Sequence, residues 1–165
     1  IDELDLAMIE QPLRYDDIAD HAALQSVLQT PICLDESINS VERTQQAIRL
    51  GACRWVNIKP GRVGGLTVAL RIRALCEAAG IGCWVGGMLE SALGAMHCAA
   101  LATLPNFTYP ADLFPTSRFY AVDLSTPEIA FSRPWEVELP EQPGVGARPD
   151  AERLKDWCVA KAVLR

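Results

Sequence analysis

Three short apolar runs, each halted by a charged residue, most constrain what this chain can fold into. They are Leu6-Ala7-Met8-Ile9-Glu10, Pro31-Ile32-Cys33-Leu34-Asp35-Glu36-Ser37 and Trp55-Val56-Asn57-Ile58-Lys59. Apolar runs of this length read as buried strands, and a core supplies no reason to end one on a charge. Glu10, Asp35 and Lys59 lie 25 and 24 positions apart, and each interval holds one segment of helical character. The pattern is a βαβ repeat with a charged group at the C-terminal end of each strand. Parallel strands joined by helices bring those ends to one face, where α/β barrels carry their chemistry.

The intervening segments support the repeat. Between Arg14 and Gln29, Ile18, Ala22, Leu24, Val27 and Leu28 fall at helical spacing, with Asp16 or Asp17 as cap and Thr30-Pro31 as stop. Ser40 is an N-cap for a helix over Val41 to Leu50, and Gly51 suits its left-handed end. Pro60 to Gly65 reads as a turn into a helix over Leu66 to Ala79, ended by Gly80. A fourth strand, Gly82 to Val85, leads through Gly86-Gly87-Met88-Leu89-Glu90-Ser91 to a small-residue helix over Ala92 to Leu104. A fifth strand is expected near Phe107 to Asp112. Short strands over Pro127 to Phe131 and Trp135 to Leu139, then a helix over Asp150 to Val163, would complete the chain.

Five strands and four helices in residues 1–112 fall short of an eight-stranded barrel, which needs about 250 residues. An incomplete set would leave two strand edges exposed. The fold class expected is α/β: an open wound sheet, or the back part of a barrel whose front lies upstream. The abrupt start, Ile1-Asp2-Glu3-Leu4-Asp5 running into a strand, favours a position inside a larger fold. Residues 1–112 are read as a partial barrel carrying the charged strand ends, and 113–165 as C-terminal strands and a helix that complete it.

The 165 residues carry 15 basic and 21 acidic side chains with no basic stripe, which argues against a nucleic-acid partner. No apolar run approaches the roughly 20 residues of a membrane span, and a cytoplasmic protein without membrane contact is expected. Cys33, Cys53, Cys76, Cys83, Cys98 and Cys158 form no CxxC pair and are read as reduced, buried small hydrophobes. His21 and His97 are read as structural.

Glu10 and Asp35 are hard oxygen donors at neighbouring strand ends. With a third oxygen donor they suit Mg²⁺ (or Mn²⁺), whose octahedron water and substrate complete. Lys59 on the next strand faces the same space and can serve as a base or an electrostatic partner. A carboxylate-polarising metal beside a lysine suits proton abstraction α to a carboxylate. Asn57 shares the face of Lys59 and can position it or bond a substrate. The glycines of Gly61 to Gly65 could cradle a phosphate, but neither a P-loop nor GxGxxG is present, so a tight turn is the better reading.

Ile9-Glu10-Gln11-Pro12-Leu13, Leu34-Asp35-Glu36-Ser37, Asn57-Ile58-Lys59-Pro60-Gly61-Arg62-Val63-Gly64-Gly65 and Gly86-Gly87-Met88-Leu89-Glu90-Ser91 together resemble the enolase superfamily, muconate lactonising branch. The last two motifs look most like its o-succinylbenzoate synthase and N-succinylamino-acid racemase group. The resemblance implies a (β/α)7β TIM-type barrel, with this chain spanning the fourth to eighth strands and the tail. It implies that Glu10 and Asp35 are the second and third metal ligands and that Lys59 is the catalytic lysine of the sixth strand. Gly87, Met88 and Leu89 match the substrate-pocket loop, Glu36 a supporting position, and Phe119 and Tyr120 further approaches to substrate.

The family's other lysine pair, its first metal-ligand aspartate and its capping domain would all precede Ile1. The full-length enzyme would be a homo-oligomer acting on a small-molecule carboxylate. It would dehydrate its substrate to o-succinylbenzoate on the route to menaquinone, racemise N-succinylamino acids, or do both. A muconate cycloisomerase, a dipeptide epimerase, or a fragment without activity of its own remain the alternatives.

Overall fold

The computed structural model describes residues 1–163. Four parallel strands form one sheet in sequence order: β1 (Ile9–Glu10), β2 (Ile32–Leu34), β3 (Trp55–Ile58) and β4 (Gly82–Val85). Between them run α1 (Ile18–Val27), α2 (Val41–Leu50), the short α3 (Pro60–Val63) and α4 (Leu66–Ala78). After β4 come α5 (Ala92–Ala102), the antiparallel pair β5 (Ser125–Thr126) and β6 (Arg148–Pro149), and α6 (Ala151–Asp156). The chain divides into two compact units. One comprises Ile1–Gly86 with Leu101–Asp112, and the other Gly87–Ala100 with Leu113–Arg165.

Local chemistry accounts for the helix ends. Asp17 caps α1 by accepting from Asp20 N, and Ser40 Oγ caps α2 by accepting from Arg43 N at 3.1 Å. Gly51 closes α2 at φ 66°, a conformation that costs glycine nothing. At the N-terminus, Asp2 accepts from Gln29 N, Thr30 N and the Thr30 hydroxyl. These bonds, that from Gln29 foremost, hold its carboxyl down at about 2.

The sheet register decides which side chains share a face. Glu10 lies beside Cys33, Cys33 beside Trp55 and Trp55 beside Gly82. With a period of two along each strand, Glu10, Cys33, Asp35, Asn57, Lys59, Trp84 and Gly86 fall on one face. The Trp84 indole N–H points at Cys33 Sγ, 3.2 Å away, across that face. On the other face Ile32, Leu34, Val56, Ile58 and Val85 are buried, and α4 packs against β3 and β4. Each strand pair climbs by about two residues from β1 to β3, so the charged ends form a rising row. In the second unit, Ala92, Ala95, Met96 and Ile129 form a core with Val137, Leu139, Val145 and Ala147 around it.

Several sequence expectations change. The first strand is only Ile9–Glu10; Leu6 stands exposed. The fifth strand is reduced to single parallel bridges, Cys83 with Phe107 and Gly86 with Asp112, because Pro110 between them has no N–H to continue the ladder. The strands expected over Pro127 to Phe131 and Trp135 to Leu139 are replaced by β5 and β6, since Ile129, Val137 and Leu139 pack into the second unit's core rather than pair. The last helix stops at Asp156, and Trp157, Val159 and Val163 beyond it are exposed, with no core to extend a helix against. Cys158 is exposed, unlike the other five cysteines, because it follows that early stop.

Candidate active site

Every charged strand end lies in the first unit. Asp35 is 4% exposed, and its carboxylate is the centre of a small ionic cluster. Lys59 Nζ lies 2.8 Å from Asp35 Oδ2, and the Arg62 guanidinium donates to Asp35 Oδ1. Arg62 is itself held by Asn57 O at 2.6 Å and Ile38 O at 2.9 Å. Short charge-assisted bonds of this kind are stronger than neutral ones and fix geometry. Glu10 is exposed at the end of β1 and accepts from Asn57 Nδ2 at 2.8 Å. Asn57 is 1% exposed, and its Oδ1 is buried without a partner. An amide turned the other way would set two oxygens against each other, so the bond to Glu10 fixes its orientation.

Gly86 makes this packing possible. A Cβ there would lie 2.6 Å from both Asn57 Nδ2 and Lys59 Cε. A concave pocket of about 470 Å³ opens beside the carboxylates, lined by Glu10, Gln11, Leu13, Tyr15, Asp35 and Glu36. Glu36 follows β2 in a turn and is exposed, and it lines this pocket alongside Asp35.

The donor set suits a hard cation. A carboxylate offers about four lone-pair positions, so Asp35 can hold Lys59 and Arg62 and still present a site. Glu10 is accessible and already oriented by Asn57. Among the described residues no group of three or more His, Cys, Asp or Glu is arranged around one point, so this chain offers two carboxylates.

Gly87, Met88 and Leu89, the loop expected to contact substrate, lie in the second unit. Met88 and Leu89 are exposed, and Met88 N donates to Glu90 Oε2 at 2.6 Å. The Tyr120 hydroxyl donates to Leu89 O, and the Phe119 and Tyr120 rings are 6.4 Å apart. Gly87 is half-buried. His21 is fully buried and His97 half-buried, each with Nδ1 against a main-chain oxygen four residues earlier. Burial pushes the Cys33 thiol up to about 12, so it stays protonated and inert on the site face.

Sequence reasoning missed two residues. Arg62 lies one helical turn beyond Lys59; the turn read over Pro60 to Gly65 is a short helix with Pro60 in its first turn, which aims Arg62 back at Asp35. Gln11 carries no role in the sequence reading, yet its side chain accepts from Asp35 N just beyond β2.

Residues 1–153 match the model of the Enolase C-terminal domain-like family. The chain belongs to that family. This enolase C-terminal-like chain is 48% identical over 157 residues to an o-succinylbenzoate synthase of Geobacillus stearothermophilus, covering 95% of this chain and 42% of that protein. It is 48% identical over 160 residues to an N-succinylamino acid racemase of Thermus thermophilus, covering 95% and 43%. Its structure superposes on a member of the enolase superfamily from Listeria innocua with a TM-score of 0.86 at 42% identity, covering 94% of this chain and 42% of that one. The α/β architecture is therefore part of the superfamily's C-terminal TIM-type barrel, and the chain spans under half the length of the curated relatives it matches.

Proposed function

We propose that this chain supplies the carboxylate and lysine strand ends of a Mg²⁺- or Mn²⁺-dependent lyase or isomerase. The full-length protein acts as an o-succinylbenzoate synthase, an N-succinylamino-acid racemase, or both. The observation that carries this is the row of Glu10, Asp35 and Lys59 on one sheet face, with Lys59 Nζ 2.8 Å from Asp35 Oδ2. The two activities named for the 48% identical relatives suit it.

In this reading Glu10 and Asp35 hold the cation, with a third ligand from outside this chain. The bound cation would draw charge from a substrate carboxylate and so ease loss of the adjacent proton. Lys59, as ammonium, meets the negative charge that develops when a base outside this chain removes that proton. In racemisation Lys59, as amine, takes or returns the proton on the opposite face. Asn57 keeps Glu10 oriented through the bond from its Nδ2. Gly87, Met88 and Leu89 are candidate substrate-binding residues of the full-length enzyme. The place of action is the cytoplasm, with the enzyme as a homo-oligomer and its product on the route to menaquinone.

The test is an assay of the full-length protein with Mg²⁺. Formation of o-succinylbenzoate is followed by absorbance, and inversion of N-succinylamino acids by polarimetry. One or both activities are expected, lost with chelator and restored by Mg²⁺; neither activity in folded, metal-supplied protein would overturn the reading.

Gly86→Ala probes the packing directly. The new Cβ must displace Asn57 and Lys59, and a misplacement of about 1 Å can cost roughly 100-fold in rate. We expect a loss of that order in kcat with the far-ultraviolet spectrum unchanged. Near-normal turnover would mean that Lys59 does not act from the position it occupies here.

A further inference from the structure

We propose that Gln11 is the positioning residue that sets the spacing of the Glu10 and Asp35 carboxylates, an inference resting on the metal-site reading above. Gln11 follows Glu10 at the point where the chain leaves β1. Its main-chain N–H continues the parallel ladder by donating to Cys33 O at 2.8 Å. The next bond of such a ladder would run from the Asp35 N–H to the main-chain oxygen of residue 11. Instead the Gln11 side chain occupies that slot. Its Oε1 accepts from Asp35 N at 2.9 Å and from Ser37 N at 3.2 Å. Two main-chain donors on one oxygen settle which end of the amide is which.

The other end is equally engaged. Gln11 Nε2 donates to Ser37 Oγ at 2.8 Å and to Leu13 O at 3.2 Å, while the Ser37 hydroxyl donates to Tyr15 O at 2.8 Å. Fully buried His21 closes the network. Its Nδ1 lies 2.5 Å from Asp17 O, an acceptor only, so the proton sits on Nδ1 and Nε2 accepts. That Nε2 faces Leu13 N at 3.3 Å and Gln11 Nε2 at 3.4 Å. The backbone records the cost of this reach: Gln11 adopts φ 40°, a left-handed conformation in which a non-glycine residue is uncommon. A solvent-facing glutamine after a strand has no need of that conformation. Here it turns the side chain back onto β2 and ties the main chain of one carboxylate residue to the neighbour of the other.

The test uses Mn²⁺ as probe on the full-length protein, read by electron paramagnetic resonance titration, with thermal melting alongside. Gln11→Met keeps side-chain length and removes the amide's hydrogen bonds while leaving the main-chain bond to Cys33 O. Gln11→Gly relieves the positive φ while also removing the side chain, and so guards against a variant that does not fold. Both are expected to weaken Mn²⁺ binding by about 10- to 100-fold, the usual effect of losing a group that orients a ligand. Saturating metal should restore most of kcat, because the role proposed for Gln11 is exerted through the spacing of the two carboxylates. Unchanged Mn²⁺ affinity in either folded variant would overturn the proposal, and so would a kcat loss that metal cannot restore. Asp35→Asn is the control: if that variant too binds Mn²⁺ like the parent, the metal-site reading itself has failed rather than the role of Gln11.

Discussion

Lys59→Arg in the full-length protein is expected to abolish racemisation while leaving one-sided exchange of the substrate α-proton. Lys59 is a point charge on a flexible stem, 2.8 Å from Asp35 Oδ2, with 20% of its side chain exposed. Arginine keeps the charge but carries a broad planar fork that stays protonated at working pH. Space for it is short, since Lys59 Cε packs against the bare Cα of Gly86. As a base Lys59→Arg is equivalent to Lys59→Ala, and removing one member of a catalytic unit commonly costs several orders of magnitude. We expect a loss of about 1,000-fold or more in racemisation for both. In the proposed reading dehydration needs only the positive charge from this residue, so arginine should retain more of that rate than alanine. The measurement is deuterium uptake from heavy water into each enantiomer of an N-succinylamino acid, followed by NMR. Uptake confined to one enantiomer supports two bases on opposite faces; equal uptake into both removes Lys59 from the base role.

Asp35→Asn should have the second large effect, on metal affinity and on the balance of charge. A neutral amide is a poor ligand for a hard cation, and Mn²⁺ binding is expected to weaken by about 100-fold or more. The same change leaves Lys59 and Arg62 without their shared carboxylate. Stripping a buried pair of one partner costs about 3–5 kcal/mol. Lys59 and Arg62 retain 20% and 15% exposure, and Arg62 keeps its bonds to Ile38 O and Asn57 O, so about 1–3 kcal/mol is the better expectation. Melting of the metal-free variant reads the second effect and Mn²⁺ titration the first. Unchanged Mn²⁺ affinity would show that Asp35 is not a ligand.

These two effects meet at one carboxylate because Asp35 serves two ends. It is the buried counter-ion of a lysine and an arginine and, in the reading proposed here, a metal ligand. The cluster leaves Lys59 with a fixed direction before any substrate arrives, which is the form of preorganisation that electrostatic catalysis uses.

Much of the barrel portion was legible because its signals are local. The apolar runs of β2, β3 and β4, the Ser40 cap and the Gly51 stop each depend on neighbours a few residues away, and the structure keeps them almost residue for residue. The common face of Glu10, Asp35 and Lys59 follows from three strands of one repeat and a period of two. Pairing and packing over longer separations carried no such signal. That Phe107 and Asp112 make single bridges rather than a strand depended on Pro110 meeting the edge of β4. That Ile129, Val137 and Leu139 fill a core rather than pair depended on α5 packing against them. The turn of Arg62 onto Asp35, 27 residues away, and the reach of Gln11 to Asp35 N, 24 residues away, exist only once β1, β2 and β3 lie side by side. The amino-acid sequence by itself determined which elements form and which charges stand at their ends, because hydrophobic period and capping act within one turn or one strand. Only the tertiary structure decided how those charges are partnered, because a hydrogen bond across the sheet depends on register, and register is a property of the assembled strands.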